Sequence, residues 1–414
     1  MSKRREFIGQ VMKGTAAVAA TRFFPAARVL GANDRVRLAL IGAGGRGQEI
    51  FKTAIRCPNT EAAAVADVYT RRLDEVKKFA PDIKTYQDFR RLLDDKSIDA
   101  VLIATPQHQH ALNFVPAIQA GKDIYQEKTM AFSPDHAKRM RKALEGSGRI
   151  VQVGIQSISG PEAAQARAYL APEKIGTITQ IHTHHYRNAP YGGWKRAIPT
   201  DCDAQHVDWK DFQGEARQYP FDPNRVINWR FYWEYSGGNV FENMVHQVGF
   251  WYKLLGLKIP EKVTMTGGNY LSPEMQVPDT MDVSMVQPEK MLFTWNSMFG
   301  NRHFGEGDDE VCGNKGTILR NEEGVVRFVS EDRKAAAAAS EEKPGGKAAT
   351  PDLVSSGDTT VLHMQNFIDC VRSRKEPNCP LEIGFRSAIA CQMAIKSYRL
   401  GRTVKWDEKL EDIV

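Results

Sequence analysis

The sequence predicts an α/β fold: a doubly wound parallel sheet at the N-terminal end, followed by an α+β domain with a mainly antiparallel sheet. Three observations carry this. Short apolar β-type runs alternate with amphipathic helical stretches over about 120 residues, the pattern of a parallel sheet. A glycine triplet, Gly42-x-Gly44-x-x-Gly47, stands between the first such run and the first helix. Beyond residue 157 the strand-like stretches lengthen and alternate, as in antiparallel sheets with one solvated face.

The elements read as follows. Val36-Arg-Leu-Ala-Leu-Ile41 is an apolar strand, and Gln48–Arg56 a helix. Glu61–Asp67 is a second strand, Thr70–Phe79 a charged amphipathic helix and Asp88–Leu93 a helical piece. Ala100–Ala104 is a strand closed by Thr105-Pro106, and His108–Ala120 a helix stopped by Gly121. Asp123–Gln126 is a strand. Pro134–Leu144 is a helix, with Ser133 as N-cap and proline at the first position. Ile150–Val153 closes this part. Later strands are expected at Thr177–Tyr186, Lys262–Thr266, Met281–Gln287, Met291–Ser297, Gly316–Leu319 and Val325–Val329, with helices at Val361–Arg372 and Phe385–Arg399. The organisation expected is a leader at 1–33, a nucleotide-binding Rossmann domain at 34–157 and a substrate and oligomerisation domain at 158–414. The Lys/Ala/Glu/Gly-rich stretch 331–352 reads as a surface insertion.

Of 414 residues, 42% are hydrophobic and 26% charged, which excludes a disordered or collagen-like chain. The formal charge is +6, but residues 1–33 hold six basic side chains (Lys3, Arg4, Arg5, Lys13, Arg22, Arg28) against Glu6 alone. The body is therefore nearly neutral, and no basic stripe marks a nucleic-acid partner. A basic n-region, the weakly apolar Gly14–Ala20 and small residues near Ala26, Ala27 and Ala32 have the layout of an export signal. The pair Arg4-Arg5 followed by Phe7 resembles the twin-arginine signal, so a periplasmic or otherwise exported location and the export machinery as a partner are expected. The apolar run is far below the ~20 residues of a spanning helix, so no stable membrane span is expected. The six cysteines show no Cys-x-x-Cys spacing, and free thiols are expected.

The glycine triplet has the context that makes it informative. Asp67 lies 20 residues past Gly47, at the end of the second strand. Gly42 permits the tight turn, Gly44 lets a pyrophosphate approach the backbone, and Gly47 lets helix and strand pack closely. Gly45 and Arg46 complete the turn, and the helix N-terminus offers N–H groups to the phosphates. Asp67 would accept bonds from the ribose hydroxyls and repel a 2′-phosphate, which favours NAD. Arg71 and Arg72 follow and soften that choice, so NADP stays open.

Two further motifs close strands of the same sheet: Thr105-Pro106-x-x-x-His110 and Glu127-Lys128-Thr129. Ligands of open α/β sheets sit at the carboxyl ends of strands, so both point at the coenzyme crevice. A third is Gly237-Gly238-x-x-x-Glu242-x-x-x-His246, which sets Glu242 and His246 on one face of a helix. With these motifs, and the closing Asn366–Asp407 segment, the chain resembles the glucose–fructose oxidoreductase / inositol dehydrogenase family (Gfo/Idh/MocA) over residues 34–407. The resemblance implies a Rossmann domain and an α+β domain whose large open sheet covers the nicotinamide. It also implies homo-oligomers formed through that sheet and hydride transfer at a secondary alcohol of a sugar, glycoside or polyol. Three departures stand out: Thr129 replaces the family's proline, Glu242 its usual Asp, and Gly249 a later Asp. The last two are expected to reshape the substrate side.

On this resemblance Lys128 stabilises a developing alkoxide, His246 accepts the proton and Glu242 orients His246 or binds a hydroxyl. Glu127 positions the lysine or the nicotinamide, and His110 lines the nicotinamide pocket. Tyr186, Arg187, Trp194, Arg230 and Trp233 (with Trp229) are candidate carbohydrate contacts. His182, His184 and His185 invite a metal reading, but on a strand His185 faces away from the other two, and no third ligand is at hand. No metal is expected. Two other functions remain open: a glycosidase or lyase using transient NAD oxidation and elimination, and a sugar-binding protein without catalysis.

Overall fold

A computed structural model of the chain describes residues 35–302, 309–321, 323–332 and 358–414. The expected leader, and the insertion beyond residue 332, lie outside the described residues.

Six strands form the first sheet: β1 (Val36–Ile41), β2 (Thr60–Ala66), β3 (Lys84–Tyr86), β4 (Ala100–Ile103), β5 (Asp123–Gln126) and β6 (Val151–Val153). All pair in parallel, in the order β3-β2-β1-β4-β5-β6. β4 and β5 are buried throughout because helices cover both faces, which explains their uninterrupted apolar texture. The register levels the strand ends: Ile41 is opposite Ala66 and Ile103, and Ile103 is opposite Gln126. The residues that follow (Gly42, Asp67, Thr105 and Glu127-Lys128) therefore emerge along one edge, at the point where the strand order reverses between β1 and β4.

The remaining strands are β7 (Ile178–Tyr186), β8 (Lys262–Gly268), β9 (Thr280–Gln287), β10 (Met291–Met298), β11 (Asp309–Gly313), β12 (Gly316–Arg320), β13 (Val326–Ser330), β14 (Val404–Asp407) and β15 (Asp412–Ile413). They form a nine-stranded sheet ordered β13-β12-β11-β7-β10-β9-β8-β14-β15. It is mainly antiparallel, with β7 and β10 as a parallel pair. On its inner face Phe293, Trp295 and Val311 join the core that contains the helices Val245–Leu255 and Leu381–Leu400.

The helix Thr359–Ser373 returns to the first domain. Its Met364, Phe367 and Ile368 pack in one cluster with Val36, Leu38 and Phe51. The helix Pro134–Leu144 starts as its sequence predicts, with Ser133 accepting from the His136 N–H. No helix among the described residues is long and apolar enough to cross a membrane. All six cysteines are unpaired.

Candidate active site

The turn after β1 is built as its glycines require. Gly42 has φ +90°, and a Cβ there would lie 2.6 Å from the Thr105 nitrogen, since β4 ends beside it. A Cβ on Gly47 would lie 2.0 Å from the Gly42 carbonyl oxygen, so helix and turn touch only because Gly47 has no side chain. Around Gly44 and Gly45 an added Cβ meets nothing, and no side chain caps the helix Gly45–Ala54 that starts there. The free amides and open space form a cradle of the kind a diphosphate fills.

Asp67 is tied to this turn. Its Oδ2 accepts from the Ala43 N–H (2.6 Å) and its Oδ1 from the Tyr69 N–H (2.9 Å). Burial pushes the carboxyl above its usual range against these two bonds. Gly42, Gly44, Gly45, Arg46, Asp67, Thr105 and Pro106 all line a cleft of about 930 Å³. Its far wall comes from the other domain and includes Trp194, Arg196, Trp229 and Arg230. That wall is pinned to the first domain by Tyr69–Asp201 (2.7 Å), Arg90–Asp211 (2.8 Å) and Arg139–Glu215 (2.9 Å). Arg71 pairs with Asp201 and Arg72 with Glu75, so carboxylates already engage both arginines that softened the coenzyme choice.

A second cavity of about 680 Å³ adjoins the first and shares Arg46 and Trp194 with it. Lys128, Arg187, Glu242 and His246 face it. Lys128 Nζ donates to Glu242 Oε2 (2.7 Å) and to the Glu242 carbonyl (3.0 Å). Glu242 Oε1 accepts from Arg230 Nε (3.0 Å) and Gln107 Nε2 (2.9 Å). Burial alone would raise this carboxyl, but Arg230 and Lys128 together hold it down at about 2. Glu242 stays ionised and is no proton acceptor at working pH. Glu242 and His246 lie where a π-helical turn, Val240–Met244, runs into the α-helix Val245–Leu255.

His246 is held well below its ordinary value of 6.5, first by burial and then by the charges of Lys128 and Arg46. Among the described residues nothing hydrogen-bonds its ring, so the neutral imidazole can accept a proton. The acid limb of kcat/KM is therefore expected well below the ordinary imidazole value of 6.5, because protonation removes the acceptor only there. A limb centred at 6.5 in a pH profile would contradict this.

Several expectations are corrected. His110 does not line either cavity. It is buried, with Nδ1 2.8 Å from the Thr129 carbonyl and Nε2 2.9 Å from that of Thr105, and so ties the two strand-end loops together. Glu127 lines neither cavity and so makes no coenzyme contact, but it accepts from Arg46 Nε (2.9 Å) and from the Lys128 N–H (3.1 Å), in keeping with the other alternative, a residue that positions the lysine. Tyr186 shares strand parity with His184, its stacking partner, and bonds Asn296 on the outer face of the sheet. Trp233 packs against Tyr398 and Arg399, away from both cavities.

Gly249 is not on the substrate side either. A Cβ there would lie 2.3 Å from Ile155 Cδ1, so the position is a tight helix contact. Gly249→Asp, the residue the resemblance implied at this position, is expected to destabilise by about 3 kcal/mol through overpacking and a buried carboxylate. A melting temperature equal to wild type would contradict that.

Residues the motifs missed are Gln107, which bonds Glu242, and His185, Asn243, Thr359 and Arg320, which face the second cavity. Of these only His185 had a signal: it is the one histidine of its trio on the inner face of β7. Burial holds its imidazole near 3, and Arg187 contacts its Nε2. Among the described residues no histidine, cysteine or acid cluster could hold a metal.

Comparison with known proteins bears on this site. Residues 36–155 match the oxidoreductase family, NAD-binding Rossmann fold (Gfo/Idh/MocA), and residues 167–406 its C-terminal alpha/beta domain. The chain is 24% identical over 383 residues to scyllo-inositol 2-dehydrogenase (NAD(+)) of Bacillus subtilis, covering 91% of this chain and 97% of that protein. It is 41% identical over 130 residues to a glycosyl hydrolase family 109 protein of Stenotrophomonas maltophilia, a match spanning 29% of this chain and only 28% of that protein. Levoglucosan dehydrogenase in complex with NADH has the same fold (TM-score 0.69, 18% identity, 90% of this chain and 99% of that one).

Proposed function

Because the chain belongs to the Gfo/Idh/MocA oxidoreductase family, whose N-terminal domain is the NAD-binding Rossmann fold, we propose that it oxidises or reduces a secondary alcohol carbon of a sugar, glycoside or polyol. NAD supplies the hydride acceptor and donor. The observation that carries the reading is that Lys128 and His246 face one cavity, which the nucleotide cleft joins through Arg46 and Trp194.

Each residue has a task within it. The amides of Gly44 to Gly47 and the open space beside them receive the diphosphate, and Asp67 receives the ribose hydroxyls. Lys128 donates to the reacting hydroxyl and its charge steadies the alkoxide. His246 takes the hydroxyl proton. Glu242 holds Lys128 in place, and Arg187 and Trp194 remain the carbohydrate contacts. The far wall at 194–230, pinned by its ion pairs, supports a coenzyme that stays bound through turnover. Export through the Arg4-Arg5 leader and self-association through the outer face of the nine-stranded sheet, where Leu292 and Val329 are exposed, belong to the same proposal.

A second reading rests on the likeness to the glycosyl hydrolase family 109 protein. Oxidation beside a C–H bond acidifies it, so a neutral imidazole in this cavity could also remove that proton and expel a glycosidic oxygen. One experiment separates the two. Ligand released from purified protein is identified by mass spectrometry, and sugars, polyols and glycosides are then screened at the reduced-nicotinamide absorbance band. NAD on the protein with net absorbance change supports the dehydrogenase. Glycoside cleavage with no net change and no added acceptor supports the second reading. Dialysed protein without nucleotide, inert to the whole panel, counts against both and favours a binder without catalysis.

A further inference from the structure

Glu242 is shared by two cations that belong to different cavities. Arg230, on the short turn Trp229–Phe231, lines the nucleotide cleft and reaches Oε1. Lys128, after β5, lines the second cavity and reaches Oε2. Among the described residues Glu242 is the only acid ion-paired with either one. Lys128, Arg230 and Glu242 together thus carry one positive charge in excess.

The surrounding groups do not cancel it. Arg46 is matched one for one by the buried Glu127, and the second carboxylate on it, Glu49, is 62% exposed and screened by solvent. His246 and His185 are both depressed toward the neutral form. Gln107, the third partner of the carboxylate, is neutral, and its Oε1 accepts from the Gly237 N–H. Arg230 is also fixed in orientation, its guanidinium 4.3 Å from the Trp229 ring.

We infer that Arg230 sets the charge of the catalytic centre: by drawing on Glu242 from the nucleotide side, it leaves Lys128 incompletely neutralised, which favours the substrate alkoxide and the reduced coenzyme. This inference rests on the NAD reading above. An oxidised nicotinamide ring is cationic and a reduced one is neutral, so a nearby positive charge penalises only the oxidised form. Without Arg230, Lys128 and Glu242 become a neutral pair at 2.7 Å, and both effects fade. A structural brace would not discriminate between the two redox forms.

The test equilibrates wild type, Arg230→Gln and Arg230→Lys with a fixed mixture of NADH and NAD+. Free coenzyme is then removed and the ratio on each protein is measured by absorbance and chromatography. A unit charge within ~10 Å at an effective dielectric of about 20 is worth roughly a tenfold ratio. The wild-type ratio is expected to exceed that of the mixture by about tenfold. R230Q is expected to fall about tenfold below wild type, while R230K stays near it. Equal ratios for wild type and R230Q, both binding coenzyme, would overturn the inference and leave the NAD reading intact. A wild-type ratio equal to the mixture would overturn it without recourse to a variant. Wild type that binds neither form would bring down the NAD reading, and this inference with it.

Discussion

Lys128→Met is expected to lower kcat by about a thousandfold, roughly 4 kcal/mol of transition-state stabilisation, with coenzyme still bound. The lysine, its side chain only 14% exposed, places a cation where charge develops, and methionine keeps its length without donor or charge. The fold should survive because Glu242 keeps Arg230 and Gln107 as partners, so its carboxylate is not left buried and alone. The checks are kcat on the best substrate, coenzyme content and melting temperature. A kcat within tenfold of wild type, with coenzyme in place, would remove Lys128 from the chemistry.

The second large effect is expected at the glycine turn, where two substitutions three residues apart should separate folding from coenzyme binding. Gly47→Ala puts a Cβ 2.0 Å from the Gly42 carbonyl oxygen, a backbone atom that cannot swing aside. The turn must shift, at a cost of about 1–3 kcal/mol for overpacking, and coenzyme affinity is expected to fall by at least about a hundredfold. Gly44→Ala meets no protein atom, and φ −65° at that position suits any residue. G44A should therefore melt like wild type yet bind coenzyme at least about tenfold more weakly, because the added methyl group occupies the cradle. Thermal melts and coenzyme titrations read both arms. Unchanged affinity in G44A would mean that no diphosphate lies there.

The first domain was largely legible in the sequence because its signals are local. A glycine that needs φ +90°, an acid one strand later and apolar runs buried on both faces all leave marks within a few residues. β3 escaped because Lys-Thr-Tyr is short and half-exposed, with no apolar run to mark it. β11, β14 and β15 escaped because they are defined by distant partners rather than by their own pattern. The nine-stranded sheet also holds a parallel pair, β7 and β10, that alternation along either strand cannot reveal.

The site was legible in part. Motifs at the ends of β4 and β5 and the Glu242–His246 spacing found the residues that converge. They did not find what those residues touch, because Gln107, Arg230 and Lys128 meet Glu242 from three separate segments. The aromatic and histidine assignments divide by geometry. Tyr186 fell to the outer face by strand parity, and the same parity brings His185 inward. Gly249 shows the limit of carrying over a family position: helix packing against Ile155, not substrate, decides what fits there.

The most direct measurement is a crystal structure of the protein with NADH bound. The account predicts the diphosphate against the amides that follow Gly44, the adenosine ribose on Asp67, and the nicotinamide facing the cavity where Lys128 Nζ and the His246 ring converge. A coenzyme seated elsewhere, or a Lys128 ammonium turned away from the ring into solvent, would contradict it.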